Sequence, residues 1–373
     1  MFEIVLLAAL FLYVADIFWL QRGLLRCFPF QQRFFAEQPS SVPALPFVTV
    51  VVAARNEEKN ILPCIESLSR LEYPHDKIEI IIVDDRSTDT TSGIVSTFIA
   101  SLSHFKLLRI TQEGKQTHGK ANALAVALDE ARGEIFMFTD ADCTVSPLWV
   151  KTTAEQFQND VGIVGSYTLL TARNTFEGIQ SLDWLMHFTV SAAMAGHQLP
   201  ITVIGNNFSI SKKAYNAVGG FRGIPFSVTE DYALVQAVLK TKKYNVRFLV
   251  SDETLIRSYP CATWKEIYRQ KQRWGVGALD MVSEGIIVIG IGYVAHLLFL
   301  FGFFFSSLPF LLSLFGIKFL ADIFLLRKPL SEFRGRTLLK HFLAFEVYYY
   351  VYGLIFPLIV LFTKKVTWKE RKF

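Results

Sequence analysis

Hydrophobic positions fall into two kinds of run along this chain. Long apolar blocks lie towards its two ends, and short β-branched runs fill the middle. Phe2 to Leu20 is almost wholly apolar, long enough for a bilayer-crossing helix of about 20 residues. Gly285 to Leu326 is too long for one crossing at about 1.5 Å rise per residue, so it is predicted to split at Ser306-Ser307-Leu308-Pro309 into two helices. In Phe342 to Phe362, Gly353 and Pro357 allow either a crossing or a re-entrant helix.

The middle reads differently. Phe47 to Ala53 is a continuous β-branched run, as in a strand covered on both faces. Ile61, Ile65 and Leu68 follow at helical spacing. Ile78 to Val83 and Phe105 to Ile110 predict two further strands with a helix between them. Lys120 to Ala131 reads as an Ala/Leu helix and Glu134 to Thr139 as a fourth strand. Such alternation argues for βαβ units with right-handed crossovers. Beyond Leu170 the pattern loosens into a helix over about 174–195, a strand near Ile201 to Ile210, and helices carrying Glu230-Asp231 and Gln270 to Trp274.

The expected fold class is therefore α/β, a Rossmann-like, mostly parallel sheet flanked by transmembrane helices. In order, this assigns 1–21 to an N-terminal transmembrane helix, 22–46 to a linker and 47–259 to the α/β domain. An interfacial amphipathic region follows at 260–282, two transmembrane helices at 283–326, a basic cytoplasmic loop at 327–341, a transmembrane or re-entrant helix at 342–363 and a basic tail at 364–373.

Composition supports the membrane reading. The 373 residues are 51% hydrophobic and include 34 Phe, high for a soluble protein. The net charge of +5 is modest, and its basic residues cluster beside apolar blocks, which marks topology and not a nucleic-acid surface. Phe2 to Leu20 lacks the basic start and small-residue cleavage site of a signal peptide. Arg22, Arg26 and Arg33 follow it, so the positive-inside rule puts the amino terminus outside and the middle in the cytoplasm. Arg327 to Lys340 and Lys364 to Lys372 both favour the inside, which conflicts with a full crossing by 342–363. Asp16 and Asp322 are expected at headgroup level near span ends, and Glu346 within a span is a functional candidate. Cys27, Cys64, Cys143 and Cys261 lack zinc spacing and are expected as separate reduced thiols.

The candidate chemistry sits at predicted strand ends, where α/β folds place ligands. Asp140-Ala141-Asp142 ends a buried run, and two carboxylates so placed can hold a divalent cation against a diphosphate. Asp84 and Asp85 end another run and can accept hydrogen bonds from a nucleobase or ribose, with Ser87 or Asp89 capping the next helix. Arg55-Asn56-Glu57 follows the first strand, Lys120 follows a Gly/Gln/His loop, and Gly205-Asn206-Asn207 offers either amide donors or a plain turn. Glu230-Asp231 opens a helix, as a general base for an acceptor hydroxyl or as a charge pair on the macrodipole capped by Thr229. From Trp264 to Trp274, aromatic residues alternate with Lys265, Arg269, Lys271 and Arg273, as in a helix lying on a membrane surface. There Arg273 suits a diphosphate, Gln270 a hydrogen bond and Trp274 stacking on a sugar or acceptor.

Together these pieces resemble the membrane-embedded branch of the family 2 inverting glycosyltransferases, which includes cellulose, hyaluronan and poly-N-acetylglucosamine synthases and ceramide glucosyltransferases. The resemblance rests on Ala54-Arg55-Asn56-Glu57, Val83 to Asp89, Gly119 to Leu124, Asp140-Ala141-Asp142, Gly219-Gly220-Phe221, Thr229-Glu230-Asp231 and Gln270 to Trp274, in the family's order. It implies a GT-A fold, a nucleoside-diphosphate sugar donor (a UDP-sugar by family habit) and Mg²⁺ or Mn²⁺. By match, Ala53, Arg55, Glu57, Asp84, Asp85, Lys120 and Asp140 serve the donor, Asp142 with Asp140 the metal, and Asp231 is the base. Glu230, Gln270, Arg273 and Trp274 serve the diphosphate and acceptor. The implied acceptor is a lipid or lipid-linked glycan, the implied location the bacterial inner (plasma) membrane as a multi-pass protein with a cytoplasmic catalytic domain. A processive polysaccharide synthase, a glycoside hydrolase with paired carboxylates and a non-catalytic scaffold of the same fold are the alternatives. One departure is Arg86, where family members often have glycine.

Overall fold

The computed structural model describes residues 1–36, 45–114, 116–278, 282–362, 367–368 and 371–372. Helix α1 spans Phe2–Ala36. Strand β1 (Val48–Ala54), helix α2 (Ile61–Ser69), β2 (Ile78–Asp85), α3 (Thr91–Ile99), β3 (Phe105–Ile110), α4 (Gly119–Glu130) and β4 (Ile135–Asp140) then alternate as the sequence predicts. They lead to α5 (Trp149–Ala154), β5 (Val161–Ser166), β6 (Thr168–Leu170) and α6 (Thr175–Gly196). Next come β7 (Phe208–Ser211), α7 (Lys212–Ala217), α8 (Gly220–Gly223), α9 (Glu230–Lys240), β8 (Asn245–Leu249) and β9 (Ile256–Ser258). Helices α10 (Trp264–Ala278), α11 (Ser283–Phe305), α12 (Leu308–Glu332) and α13 (Phe342–Phe362) complete the chain's long elements.

Two compact units emerge. The first to consider holds Cys27–Leu169 and Thr202–Tyr259. Its seven-stranded sheet runs β3-β2-β1-β4-β7-β5-β8. Strands β3, β2, β1 and β4 are parallel, and β7 is antiparallel to both β4 and β5. The β-branched strands are buried because helices cover both faces: Val50 and Val52 pack with Ile61 and Ile65 of α2, while Val51 and Phe138 pack with Leu124 of α4 and Leu234 of α9. The chain leaves β1 towards β2 and β3 on one side and returns to β4 on the other. That order creates a switch point at the carboxyl ends of β1 and β4.

The strand expected at Ile201 to Ile210 is shorter and later. Gly205–Asn207 forms a 3₁₀ turn, and only Phe208–Ser211 is extended. The asparagines explain this. Asn207 Oδ1 accepts from the Trp149 indole at 3.0 Å while its amide nitrogen donates to the Tyr167 and Thr254 carbonyls, bonds that a regular strand would not place.

The other unit holds Met1–Arg26, Leu170–Ile201 and Pro260–Phe373. It corrects the expected 47–259 domain, because α6 belongs here. A helix buried nearly all round, as α6 is from Gly178 to Met194, needs apolar neighbours on every side. Among the described residues, three helices are long and apolar enough to cross a membrane: Phe2–Phe28, Ser283–Phe305 and Leu308–Glu332. Phe342–Phe362 is one continuous helix through Gly353 and Pro357.

Two more boundaries move. Helix α1 continues through 22–36 of the expected linker, because Gln21 and Leu24 keep a buried stripe past Leu20 and the single Gly23 costs only about 1 kcal/mol. Residues 37–44 of that linker, and most of the basic tail at 364–373, lie outside the described residues. Helix α12 runs to Glu332, taking Arg327 and Lys328 out of the expected loop, because Leu326, Leu330 and Phe333 extend its buried face. A 3₁₀ helix, Arg336–His341, forms most of what remains of that loop.

The longer α12 also overturns the expected solvation of Asp322. Asp322 is 0% exposed, accepts from Tyr13 Oη at 2.6 Å and lies 2.8 Å from Lys318 Nζ. Lys318 also bonds Glu346 of α13. Both carboxylates are thus internal ion-pair partners.

Candidate active site

Strand register gathers the acidic motifs. Asp84 on β2 pairs with Ala54, and Asp140 on β4 pairs with Ala53 of the central strand. The carboxylates expected at one sheet edge are therefore there, on the two strands that flank β1 at the switch point. Ala53 itself is half-buried between them.

The loops after β1 and β2 are knitted together. Asn56 N–H donates to Ser87 Oγ at 3.1 Å, and Asn56 Oδ1 accepts from Thr88 N–H at 2.8 Å. Glu57 N–H donates to Thr91 Oγ1 at 2.8 Å, and Arg55 Nη1 donates to the Asp85 carbonyl at 2.9 Å. Asp84 is buried at 6% exposure and its Oδ1 accepts from Ser87 N–H at 2.9 Å, so it closes its own turn. Asp85 is 3% exposed and pairs with Arg86. Asp89, not Ser87, holds the start of α3, accepting from Thr91 N–H at 3.0 Å. Arg86, the residue in the glycine-favoured place, has φ +57°. That left-handed backbone explains why glycine suits the position, and here Arg86 is held by Asp85 and Glu113.

Lys120, on the first turn of α4, links strand end to helix start. Its Nζ lies 2.5 Å from Asp140 Oδ1 and 3.4 Å from Glu230 Oε1. Burial works against its charge, but Asp140 and Glu230 outweigh that, and Lys120 titrates above its ordinary range. Asp142 sits half-buried one residue beyond Ala141, with the buried Cys143 thiol 3.6 Å from its Oδ1. Cys64 and Cys143 are free thiols held protonated chiefly by burial.

Asp231 is aimed by two backbone amides. Gly205 N–H donates to Oδ2 at 2.6 Å and Tyr232 N–H to Oδ1 at 2.8 Å. Removal from water, and secondarily Glu230, pushes its carboxyl up to about 6. The expected Thr229 side-chain cap on α9 is not made, and Ser227 Oγ instead accepts from Thr229 N–H at 3.2 Å. The sequence offered Gly205 as an amide source or as part of a plain turn. A Cβ there would lie 2.9 Å from Asp231 Oδ2, so the absence of a side chain is what admits the carboxylate. The signal was visible as a glycine directly before Asn-Asn.

Gln270, Arg273 and Trp274 lie on α10, in the other unit, and all three are half-buried. Trp264 and Tyr268 are exposed at 57% and 43%. Lys271 is the exception. Read as one of the basic residues of a surface-lying helix, it is 2% exposed and bonds Asp183 of α6. A buried carboxylate draws the ammonium inward.

The chain's likenesses agree with this geometry. Residues 49–233 match the Glycosyl transferase family 2 profile. A probable glycosyltransferase of Bacillus subtilis, YdaM, is 26% identical over 95% of this chain and 91% of its own length. A beta-monoglucosyldiacylglycerol synthase of Nostoc is 28% identical over 63% of this chain, which spans about half of that relative, 49%. The solved mannosyltransferase PcManGT of Pyrobaculum calidifontis, in complex with GDP-Man and Mn²⁺, superposes with a TM-score of 0.56 at 18% identity, covering 94% of this chain and 99% of that one. The chain belongs to glycosyl transferase family 2, and its switch-point sheet is that of a GT-A fold.

Proposed function

We propose that this chain is an inverting glycosyltransferase of the hexosyl or N-acetylhexosaminyl class. It moves one sugar from a nucleoside-diphosphate donor, a UDP-sugar, to the hydroxyl of a lipid or lipid-linked glycan at the cytoplasmic face of a bacterial inner membrane. The observation that carries this reading is the half-buried Asp231, its carboxyl pushed up to about 6 chiefly by desolvation and aimed by two amides, in the same unit as Asp140 and Asp142. The Nostoc relative's glycolipid product and the three membrane-length helices support a lipid acceptor.

Asp140 and Asp142 suit a divalent cation. Among the described residues no cluster of three or more metal-ligating side chains occurs, and a pair of carboxylates would suit a cation that also binds phosphate oxygens. Asp142, with Asp140, would hold Mg²⁺ or Mn²⁺, which when bound neutralises charge on the leaving diphosphate. The loops after β1 and β2, with Arg55, Glu57, Asp84 and Asp85, form the nucleoside side. Lys120 would offer its ammonium, Arg273 its guanidinium and Gln270 an amide N–H to the diphosphate, and Trp274 would stack on the acceptor.

Asp231 takes the proton of the acceptor hydroxyl as that oxygen attacks the anomeric carbon. The bond from that carbon to the diphosphate oxygen breaks on the opposite face. The proton ends on Asp231, the electron pair on the diphosphate, and an α-linked donor gives a β-linked product.

The test is release of nucleoside diphosphate by purified protein, with Mg²⁺ or Mn²⁺, across UDP- and GDP-sugars and membrane lipid acceptors. Release from one donor is expected. No release from any donor, with the protein folded, would count decisively against the reading.

A further inference from the structure

Trp274 stands in an unusual setting. Lys271 Nζ lies 4.6 Å from the centre of its ring and 5.0 Å from that of Tyr352 on α13. The Trp184 ring is tilted against the indole at 5.4 Å and the His187 ring meets it edge-on at 5.7 Å. An ammonium over an aromatic face is attracted by the ring's quadrupole, more strongly where water is excluded. Here it is excluded, with Lys271 2% and Asp183 2% exposed.

Asp183 holds the ammonium in place through Oδ2. Among the described residues its Oδ1 has no hydrogen-bond partner; it is buried, 3.6 Å from His187 Nδ1. His187 Nδ1 lies 2.7 Å from the Asp183 carbonyl, which can only accept, so Nδ1 carries the proton and donates. Burial, then the nearby ammonium, keeps His187 below its ordinary titration range, so it stays neutral beside Trp274. The only full positive charge in this set is therefore Lys271, and one carboxylate fixes it.

We infer that Lys271, anchored by Asp183, is a positioning residue that sets the orientation of the Trp274 indole for acceptor binding. This rests on the reading of Trp274 as the acceptor-side residue of a glycosyltransferase. Neither Lys271 nor Asp183 touches the reacting atoms in this role. The chemistry gives the pair a specific signature: an acceptor defect with an intact donor site.

Removing Lys271 alone strands a buried carboxylate and risks misfolding. The informative variant is therefore the double change Lys271→Met with Asp183→Leu, which removes both charges, with Lys271→Arg as the conservative partner. Two readouts are taken. In ¹⁹F NMR of protein labelled with 5-fluorotryptophan, the Trp274 resonance is assigned by its loss in Trp274→Phe. The double variant should move that resonance, and Lys271→Arg should leave it nearly in place. In kinetics, the double variant should raise KM for the lipid acceptor about tenfold or more while KM for the sugar nucleotide stays within about twofold, with Lys271→Arg restoring most of the loss.

An unmoved Trp274 resonance in a folded double variant overturns the inference. So does an unchanged acceptor KM. If the resonance moves but wild-type protein transfers sugar from no donor, the glycosyltransferase reading fails while the positioning of the indole stands.

Discussion

Asp231 is where residue chemistry is sharpest. Its carboxyl titrates at about 6 and not near 3.8, which keeps it ionised at neutral pH yet basic enough to take a proton. The sign follows directly. Above about 6 the carboxylate is ionised; below it the group is protonated and can no longer serve as the proposed base. We expect kcat/KM to fall about tenfold per pH unit below an apparent value near 6. Asp231→Asn should lower kcat at least about 10²-fold while nucleotide binding, measured by calorimetry, stays within about twofold. Normal turnover in that variant would refute the base assignment. Gly205→Ala should mimic it in part, since the new methyl must displace the carboxylate. Arg86 gives a stability test. Arg86→Ala keeps the left-handed φ and loses both ion pairs, whereas Arg86→Gly loses the pairs and relieves the strain. Urea unfolding should find the glycine variant more stable than the alanine variant by about 1 kcal/mol. The acidic motifs were legible in the sequence because strand ends fix where they go. What Asp84 does was not, because its bond to Ser87 N–H depends on the path of the loop and not on the motif.

Elements were legible where one period dominates. The β-branched runs became β1, β2 and β4 within a residue or two, since a strand covered on both faces has few other solutions. Failures came where a helix had two roles. Helix α6 is as apolar as a soluble core helix, and only its neighbours show that it belongs with the terminal helices. Lys271 read as one of the basic residues of a surface-lying helix, yet it is buried because Asp183 on α6 meets it; Lys318, which no sequence pattern singled out, is buried against Asp322 and Glu346. Sequence periodicity places a residue on a helix face but does not say what faces it. Lys318 makes the consequence measurable. It serves Asp322 one turn away and Glu346 on α13, so Lys318→Met leaves two buried carboxylates without a cation. We expect a loss of about 3–5 kcal/mol, read as a lower thermal midpoint in detergent. The triple change Lys318→Met, Asp322→Asn, Glu346→Gln should recover most of it. If the single and triple variants lose the same amount, helix packing and not charge pairing sets the effect.

At the scale of the whole molecule, the open choice is between one transfer and many. A processive synthase must pass a growing polar chain through its membrane helices, which requires a wet, polar path between them. Leu6 and Leu10 of α1 meet Phe299 of α11 and Leu311 and Leu314 of α12 in one apolar cluster, and all five are buried. Lys318, Asp322 and Glu346 bond each other and so are committed within the bundle. A lipid acceptor needs no such path, because it reaches the membrane surface from within the bilayer. We therefore expect native membranes carrying this chain, given the productive sugar nucleotide and diacylglycerol-type acceptors, to yield a lipid heavier by one sugar residue in mass spectrometry. The product should extract into organic solvent and should not lengthen as donor concentration rises. A ladder of masses spaced by one sugar, or a water-soluble polymer, would reverse the assignment to processive synthesis while leaving Asp231 and the paired aspartates in the same roles.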